Sequence, residues 1–306
     1  MTETIRLDGR VAIVTGGGRG LGRAYCLALA ARGAKVVVGD AGVALDGERA
    51  GEPVAEQVAA EIRAAGGEAL AVTGDISTVE GGRGLVEAAV SQFGRLDGLV
   101  HNAGILRDRT LAKLTPEDVD AVLGVHLRAA FWMIGPAIAA MRANGFGRIV
   151  LTSSASGLFG TFGQANYAAA KMGLVGLMRV LAQEHARHGI LCNVVAPSAR
   201  TRMTESLLGD LAARLAPEHV APLVTLLLSE RCTQGNQVFL AGGGRYARAF
   251  IGVTPGWTQR GPEPATPEAL ADHWSQVVDP SGYTIPDSGL DELALMQAAF
   301  AAAERS

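Results

Sequence analysis

The sequence predicts an α/β protein built on a doubly wound, seven-stranded parallel sheet (the Rossmann arrangement) with a C-terminal extension. Three observations carry this. Short apolar runs alternate with helical patterns along residues 8–243. The first run, RVAIVT at 10–15, ends in a glycine-rich turn, TGGGRGLG at 15–22, that opens into a helical pattern. The composition, 48% hydrophobic and 19% charged over 306 residues, is that of a folded chain with a sizeable core.

Taken in order, strand 10–15 and its helix to 32 lead into a second buried strand, KVVVGD at 35–40. Strand, glycine turn, helix and strand make a parallel crossover unit. A helix over 52–65, strand 68–73, a helix to 93 and strand 98–101 follow. Two helices separated near Val125 precede strand 148–151. A long helix through Lys171 to 187, strand 191–196, a helix from Pro217 and strand 237–240 complete the alternation. The loop 41–51 is longer than most crossover connections. The whole chain reads as a single domain, with a core over 8–243 and an extension over 244–306. The extension holds Pro255, Pro262, Pro264 and Pro267, two aromatic anchors, Trp257 and Trp274, and helical patterns at 267–278 and 287–303.

A net charge of −3 gives no electrostatic case for nucleic acid or an anionic membrane. Cys26, Cys192 and Cys232 are odd in number and widely spaced, which suggests neither a disulfide framework nor a metal site and fits a reducing compartment. The N-terminus has no apolar core, and no uninterrupted apolar run reaches membrane-spanning length. A soluble cytoplasmic chain without metal is expected.

The chemistry centres on residues 150–171. Tyr167 and Lys171 are four apart at the start of an Ala-rich helical run, so they share one helical face. A phenol titrates near pH ~10, and a nearby ammonium favours its ionised form. Ser154, thirteen residues before Tyr167, closes the preceding strand and can hold a substrate oxygen against the phenol. The trio suits moving a proton on or off an alcohol. A lone Tyr-x-x-x-Lys recurs by accident, but Lys171 is one of only three lysines, and the spacing to Ser154 adds to the signal.

In the glycine turn, Gly16, Gly20 and Gly22 satisfy a TGxxxGxG pattern, allowing close approach of backbone to a pyrophosphate at a helix N-terminus. Asp40 ends the second strand, where a carboxylate accepts hydrogen bonds from an adenosine ribose and repels a 2′-phosphate. Arg19 argues the other way. The carboxylate weighs more, because Arg19 can pair elsewhere, and NAD is the expected cofactor.

These residues resemble the short-chain dehydrogenase/reductase family. The resemblance implies cofactor contacts from Gly16, Arg19, Gly20, Leu21, Gly22, Asp40, Asp75, Ile76, Asn102, Ala103, Gly104, Tyr167, Lys171 and Pro197, with Ser154, Tyr167 and Lys171 catalytic. Ser198 stands where the family usually has glycine. A narrower resemblance, carried by AGILRDRTLAKL, VHLRAAF, TSSASGLFGTFGQANYAAAKMGL and RMT at 202–204, is to (3R)-hydroxyacyl-CoA dehydrogenase domains of β-oxidation enzymes. It implies an acyl-CoA or steroid-like substrate and a homodimer. His126 stands where many family members place an Asn of the proton relay, and it stays outside the catalytic set, because a structural role is as good a reading. Residues 200–215 have the composition of a substrate lid. As a lid, Arg200, Arg202 and Arg214 would meet phosphates, and Met203, Leu207, Leu208 and Leu211 would cover acyl chain; the alternative is an ordinary amphipathic surface helix with solvated arginines. The expected function is oxidation of a (3R)-hydroxyacyl-CoA to the 3-oxoacyl-CoA. The alternatives are another secondary-alcohol or steroid dehydrogenase, a 3-oxoacyl carrier protein reductase, and, outside enzymes, a cofactor-binding regulatory protein.

Overall fold

The computed structural model describes residues 4–48, 51, 53–199 and 214–305. Its strands are β1 (Val11–Thr15), β2 (Lys35–Gly39), β3 (Ala69–Val72), β4 (Gly98–His101), β5 (Gly147–Thr152), β6 (Ile190–Pro197), β7 (Gln237–Gly242) and β8 (Arg245–Ala249). They form one sheet in the order β3-β2-β1-β4-β5-β6-β7-β8. Every pairing from β3 through β7 is parallel. The expected doubly wound fold of seven parallel strands is therefore borne out. An eighth strand joins it at the edge beside β7. Its sequence, RYARA, is polar and half-exposed, so it carries no buried-strand signal. Gly243 and Gly244, at φ +58° and +81°, make the tight turn that brings it back.

The strands read as continuous apolar runs because both faces are covered. Val14 lies level with Val38 on one side and Val100 on the other, and all three are fully buried. They belong to a core shared with α1 (Gly20–Ala30), α2 (Val54–Ala64) and α8 (Ala221–Leu227). Alternate residues Ile13, Val37, Leu99 and Ile149, equally buried, point to the opposite face. That side carries α3 (Val79–Phe93), α5 (Ala129–Asn144) and α7 (Ala165–His185), with α4 (Pro116–Leu123) and the short α6 (Ala155–Phe159) flanking α7. Helix ends follow local chemistry. Thr78 caps α3, which stops at Gly94, φ +75°, and Thr115 with Asp118 forms a capping box at α4 ahead of Pro116.

The two helices expected to part near Val125 are instead one helical run. α4 passes through a π turn, Gly124–Arg128, straight into α5. Residues 116–144 are consequently long and apolar enough to cross a membrane by length and composition, unlike the shorter segments read from the sequence. Here the run is a core helix, burying Val122, Met133, Ile134, Ala137 and Met141.

At the N-terminal edge of the sheet, Asp97 accepts from the Val11 N–H and pairs with Arg10 and Arg95. Arg148, also buried, donates to the carbonyls of Ser229, Gly147, Gly189 and Cys232. These charges close the bottom of the sheet and leave its C-terminal edge free for ligand.

The chain divides into two compact units, Met1–Arg248 and Ala249–Ser306. A boundary at 243/244 would cut the β7–β8 turn. The second unit holds α9 (Pro267–Asp272), α10 (Trp274–Val277) and α11 (Gly289–Ala303), with a bridge between Val253 and Thr284. Trp257 stacks on His273 at 4.3 Å, as an anchor should. Trp274 is over half exposed.

Candidate active site

The strand order reverses between β1 and β4, and the C-terminal ends of β1, β4, β5 and β6 open there into a cleft of about 890 Å³. Gly16, Arg19, Gly20, Leu21, Asp40, Asp75, Ile76, Asn102, Ala103, Gly104, Ser154, Tyr167, Lys171 and Pro197 all line it. The sequence thus named residues from the ends of strands β1–β6 and from α7 that the fold brings to one place. Gly22 is the exception. It is buried beneath the turn, and a Cβ there would sit 1.9 Å from the Gly16 carbonyl oxygen, so its part is to let the turn close.

The glycine turn is locked to the turn after β4. Gly16 has φ +64°, and a Cβ on it would lie 2.9 Å from the Ala103 Cα. Thr15 Oγ1 accepts from the amides of Asn102 and Ala103, both at 3.0 Å, and Asn102 Nδ2 donates to the Thr15 carbonyl at 3.2 Å. Asp40 accepts from the Gly18 and Gly42 amides, each at 2.9 Å, which fixes its carboxylate at the end of β2. Arg19 lies across the loop after β2, its Nη1 3.4 Å from the Val43 carbonyl. That loop folds back over the site, where Leu45 O accepts from the Leu106 amide and Val43 packs near Ile105 and Tyr167. The sequence showed only its unusual length.

Ser154 caps α6, its Oγ accepting from the Ser156 amide at 3.1 Å. Lys171 is buried, with Nζ donating to the Thr152 carbonyl at 2.6 Å and lying 5.6 Å from the Tyr167 ring centroid. Burial pushes the Lys171 pKa down to about 7. Burial also raises the Tyr167 pKa, against a lowering from the Ser154 hydrogen bond, and the Asp108 charge raises it further. This differs from the expectation that Lys171 lowers it. The ammonium points at a backbone carbonyl, and the phenol is largely shielded from water.

Three further residues bear on the site. His126, in the π turn, is fully buried, with Nε2 within 3.0 Å of both the Ile105 N and O and its ring edge-on to Tyr167 at 5.1 Å. Burial first, then Lys171, holds its pKa well below the ordinary value, so the ring is neutral. Asn166 Nδ2 donates to the carbonyls of Arg107 and Asp118 while Oδ1 accepts from the Tyr167 amide at 2.8 Å, tying the loop after β4 to the start of α7. His101 ends β4 behind the cleft, buried among strands. Asn166 and His101 escaped the sequence reading. Their only signal was a polar residue directly beside Tyr167 and another inside an apolar strand.

A family model described as short chain dehydrogenase matches residues 10–211. The chain belongs to the short-chain dehydrogenases. This dehydrogenase is 45% identical over 294 residues to "Peroxisomal multifunctional enzyme type 2" of Mus musculus, covering 94% of the chain and 39% of that protein. It is 44% identical over 258 residues to "Hydroxyacyl-CoA dehydrogenase ChsB1" of Mycobacterium tuberculosis, covering 79% of the chain and 80% of the relative. Among solved structures, the full-length multifunctional enzyme type 2 of Drosophila melanogaster superposes with a TM-score of 0.83 at 36% identity, over 99% of the chain and 51% of its own. The dehydrogenase thus spans well under half of the mouse relative and about half of the fly structure.

The family implies a nicotinamide cofactor, and the residues present fit one. Gly16 and Gly18 leave backbone where a side chain would collide with Ala103 or with Val54 and Asp40, and the cleft runs from Asp40 to Lys171. The expected lid residues Arg200, Arg202, Met203, Leu207, Leu208 and Leu211 lie outside the described residues, and Arg214 is exposed. Among the described residues no cluster of His, Cys, Asp or Glu is arranged for a metal.

Proposed function

We propose that this dehydrogenase oxidises a (3R)-hydroxyacyl-CoA to the 3-oxoacyl-CoA, with NAD as acceptor. The observation that carries the chemistry is the meeting of Ser154, Tyr167 and Lys171 at the end of the cleft opposite Asp40. Ser154 holds the 3-hydroxyl oxygen, and Tyr167 Oη takes its proton as the C–O bond becomes a carbonyl. Lys171 lies on the same helical face, its Nζ held on the Thr152 carbonyl, where it would hold the nicotinamide ribose. Bound nicotinamide supplies the acceptor for the hydride leaving C3. Run in reverse, Tyr167 returns the proton to the carbonyl oxygen. Asn166, through the Tyr167 amide, keeps the phenol registered against the loop after β4.

The acyl-CoA class is supported by the hydroxyacyl-CoA dehydrogenase relative, matched over most of its length. NAD is supported by Asp40, whose carboxylate two amides hold at the ribose end of the cleft. A cytoplasmic place is read from three buried free cysteines, although the mouse relative is named peroxisomal. A homodimer is proposed from the family resemblance. A 3-oxoacyl carrier protein reductase of Synechocystis, 38% identical over 73% of the chain, keeps the reductase reading in the test. The test is NADH absorbance on mixing enzyme, NAD and a (3R)-hydroxyacyl-CoA, run beside NADP, the (3S) isomer, free steroid alcohols and a 3-oxoacyl carrier protein with NADPH. Turnover of the (3R) ester with NAD is expected. Activity only on free steroids or carrier-protein substrates would overturn the substrate class.

A further inference from the structure

Behind the cleft, a chain of hydrogen bonds runs across the sheet with its direction fixed by chemistry. His101 is 1% exposed, with Nε2 2.9 Å from the His126 carbonyl oxygen and Nδ1 3.2 Å from Thr15 Oγ1. A carbonyl only accepts, so the proton sits on Nε2. In a neutral ring Nδ1 then accepts, and the Thr15 hydroxyl must donate to it. The same Oγ1 accepts from the Asn102 and Ala103 amides, so every site on both side chains is used once. At one end, Thr15 leads directly into the glycine turn. At the other, the His126 carbonyl belongs to the π turn whose imidazole stands edge-on to Tyr167. π turns within helices are frequent at functional sites.

We propose that His101 is a positioning residue for the dehydrogenase reaction: held as its Nε2–H tautomer by Thr15, it fixes the π turn that backs Tyr167 against the turn that carries the cofactor. This rests on Tyr167 as the proton acceptor, and not on the acyl-CoA substrate. The ring stays neutral because burial brings the His101 pKa to about 4, with Lys171 adding to the lowering and the His126 carbonyl opposing it. A hydrophobic side chain would fill the same buried space beside Thr15 and His126. It would take the His101 donor away from the His126 carbonyl and leave the π turn free to shift against Tyr167.

The test compares His101→Leu with His101→Gln, whose amide nitrogen reaches the His126 carbonyl. In His101→Leu, kcat should fall about 10- to 100-fold, the cost of a misplaced reacting group, with KM for the substrate and NADH affinity by fluorescence both within about threefold of wild type. The apparent pKa in the kcat–pH profile should rise with it, and His101→Gln should restore most of the rate and the profile. In the cofactor-free protein, imidazole ¹⁵N shifts should report the Nε2–H tautomer. Wild-type kcat and pH profile in the leucine variant, a glutamine variant no better than leucine, or an Nδ1–H tautomer would each overturn the proposal. If His101→Leu does not fold, Thr15→Ser and Thr15→Val take its place. The serine variant must keep the pH profile and the valine variant must shift it, and equal profiles would sink the idea. Should wild type ignore (3R)-hydroxyacyl-CoA, the substrate reading fails alone. The same kinetics are then read on whichever secondary alcohol is turned over, and the ¹⁵N readout needs no substrate.

Discussion

Tyr167→Phe deletes the one oxygen assigned to proton transfer and keeps the ring that packs on His126. The expected result is a loss of at least ~100-fold in kcat with little change in melting temperature, the low end for a positioned acid–base group. Near-normal turnover would remove Tyr167 from the chemistry. Asp40 is tested through cofactor choice. Its carboxylate is held by the Gly18 and Gly42 amides, so it cannot swing away from a 2′-phosphate. Wild type should strongly prefer NAD, and Asp40→Ala should narrow the gap in kcat/KM to NADP. A wild-type preference for NADP would mean that Arg19 decides. Asp40, Tyr167 and Lys171 were legible in the sequence because each is a chemically distinctive residue at a fixed offset from an element end. His101 was not, since its role depends on Thr15 and on His126, which only folding brings beside it.

At the scale of elements, the close fit between the turn after β4 and the π turn is what sets the back wall of the site. A Cβ on Gly104 would lie 2.2 Å from His126 Cε1, and His126 is buried on all sides. Gly104→Ala should therefore destabilise the protein by about 1–3 kcal/mol through overpacking, read in denaturant unfolding. It should also lower kcat as the imidazole is pushed toward Tyr167. An alanine variant of wild-type stability and rate would show that the π turn yields freely. The π turn had no signature in VHLR, where a break between two helices was expected. Continuity came from packing: Val122, Ala129 and Met133 are fully buried along the run, and burial of that stripe outweighs the local cost of one widened turn. The hairpin strand β8 was missed for the opposite reason. It is an edge strand with little to bury, brought back by the Gly243–Gly244 turn.

For the whole molecule, the buried titratable groups predict a stability that depends on pH. Burial depresses the His101 pKa to about 4, so between about pH 6.5 and 4 the unfolded chain binds more protons. Stability falls as pH drops through that window, by roughly 3 kcal/mol for a shift of this size. Lys171, lowered to about 7, binds a proton more readily when unfolded between about pH 7 and 10, so its contribution grows as pH rises there. Denaturant unfolding of wild type from pH 5 to 9 should show a rise, and Lys171→Met should flatten its upper part. A stability independent of pH in wild type would mean that water reaches both groups.

The sequence by itself determined the doubly wound sheet, its seven parallel strands and the two ends of the cleft. Buried parallel strands must be apolar throughout, and a backbone that approaches a pyrophosphate must be glycine, so both leave marks readable without a fold. Tertiary structure alone decided how those marks combine. It brought Val43, Leu45 and Gly47 of the loop after β2 to the site, set the Lys171 ammonium on the Thr152 carbonyl and raised the Tyr167 pKa by burial. It also joined Thr15, His101 and His126 across strands β1 and β4 and the helical run behind them. The physical reason is range. A turn, a cap or an apolar run is fixed by neighbours in sequence, whereas desolvation and hydrogen-bond direction depend on groups far apart in the chain, as Thr15, His101 and His126 are.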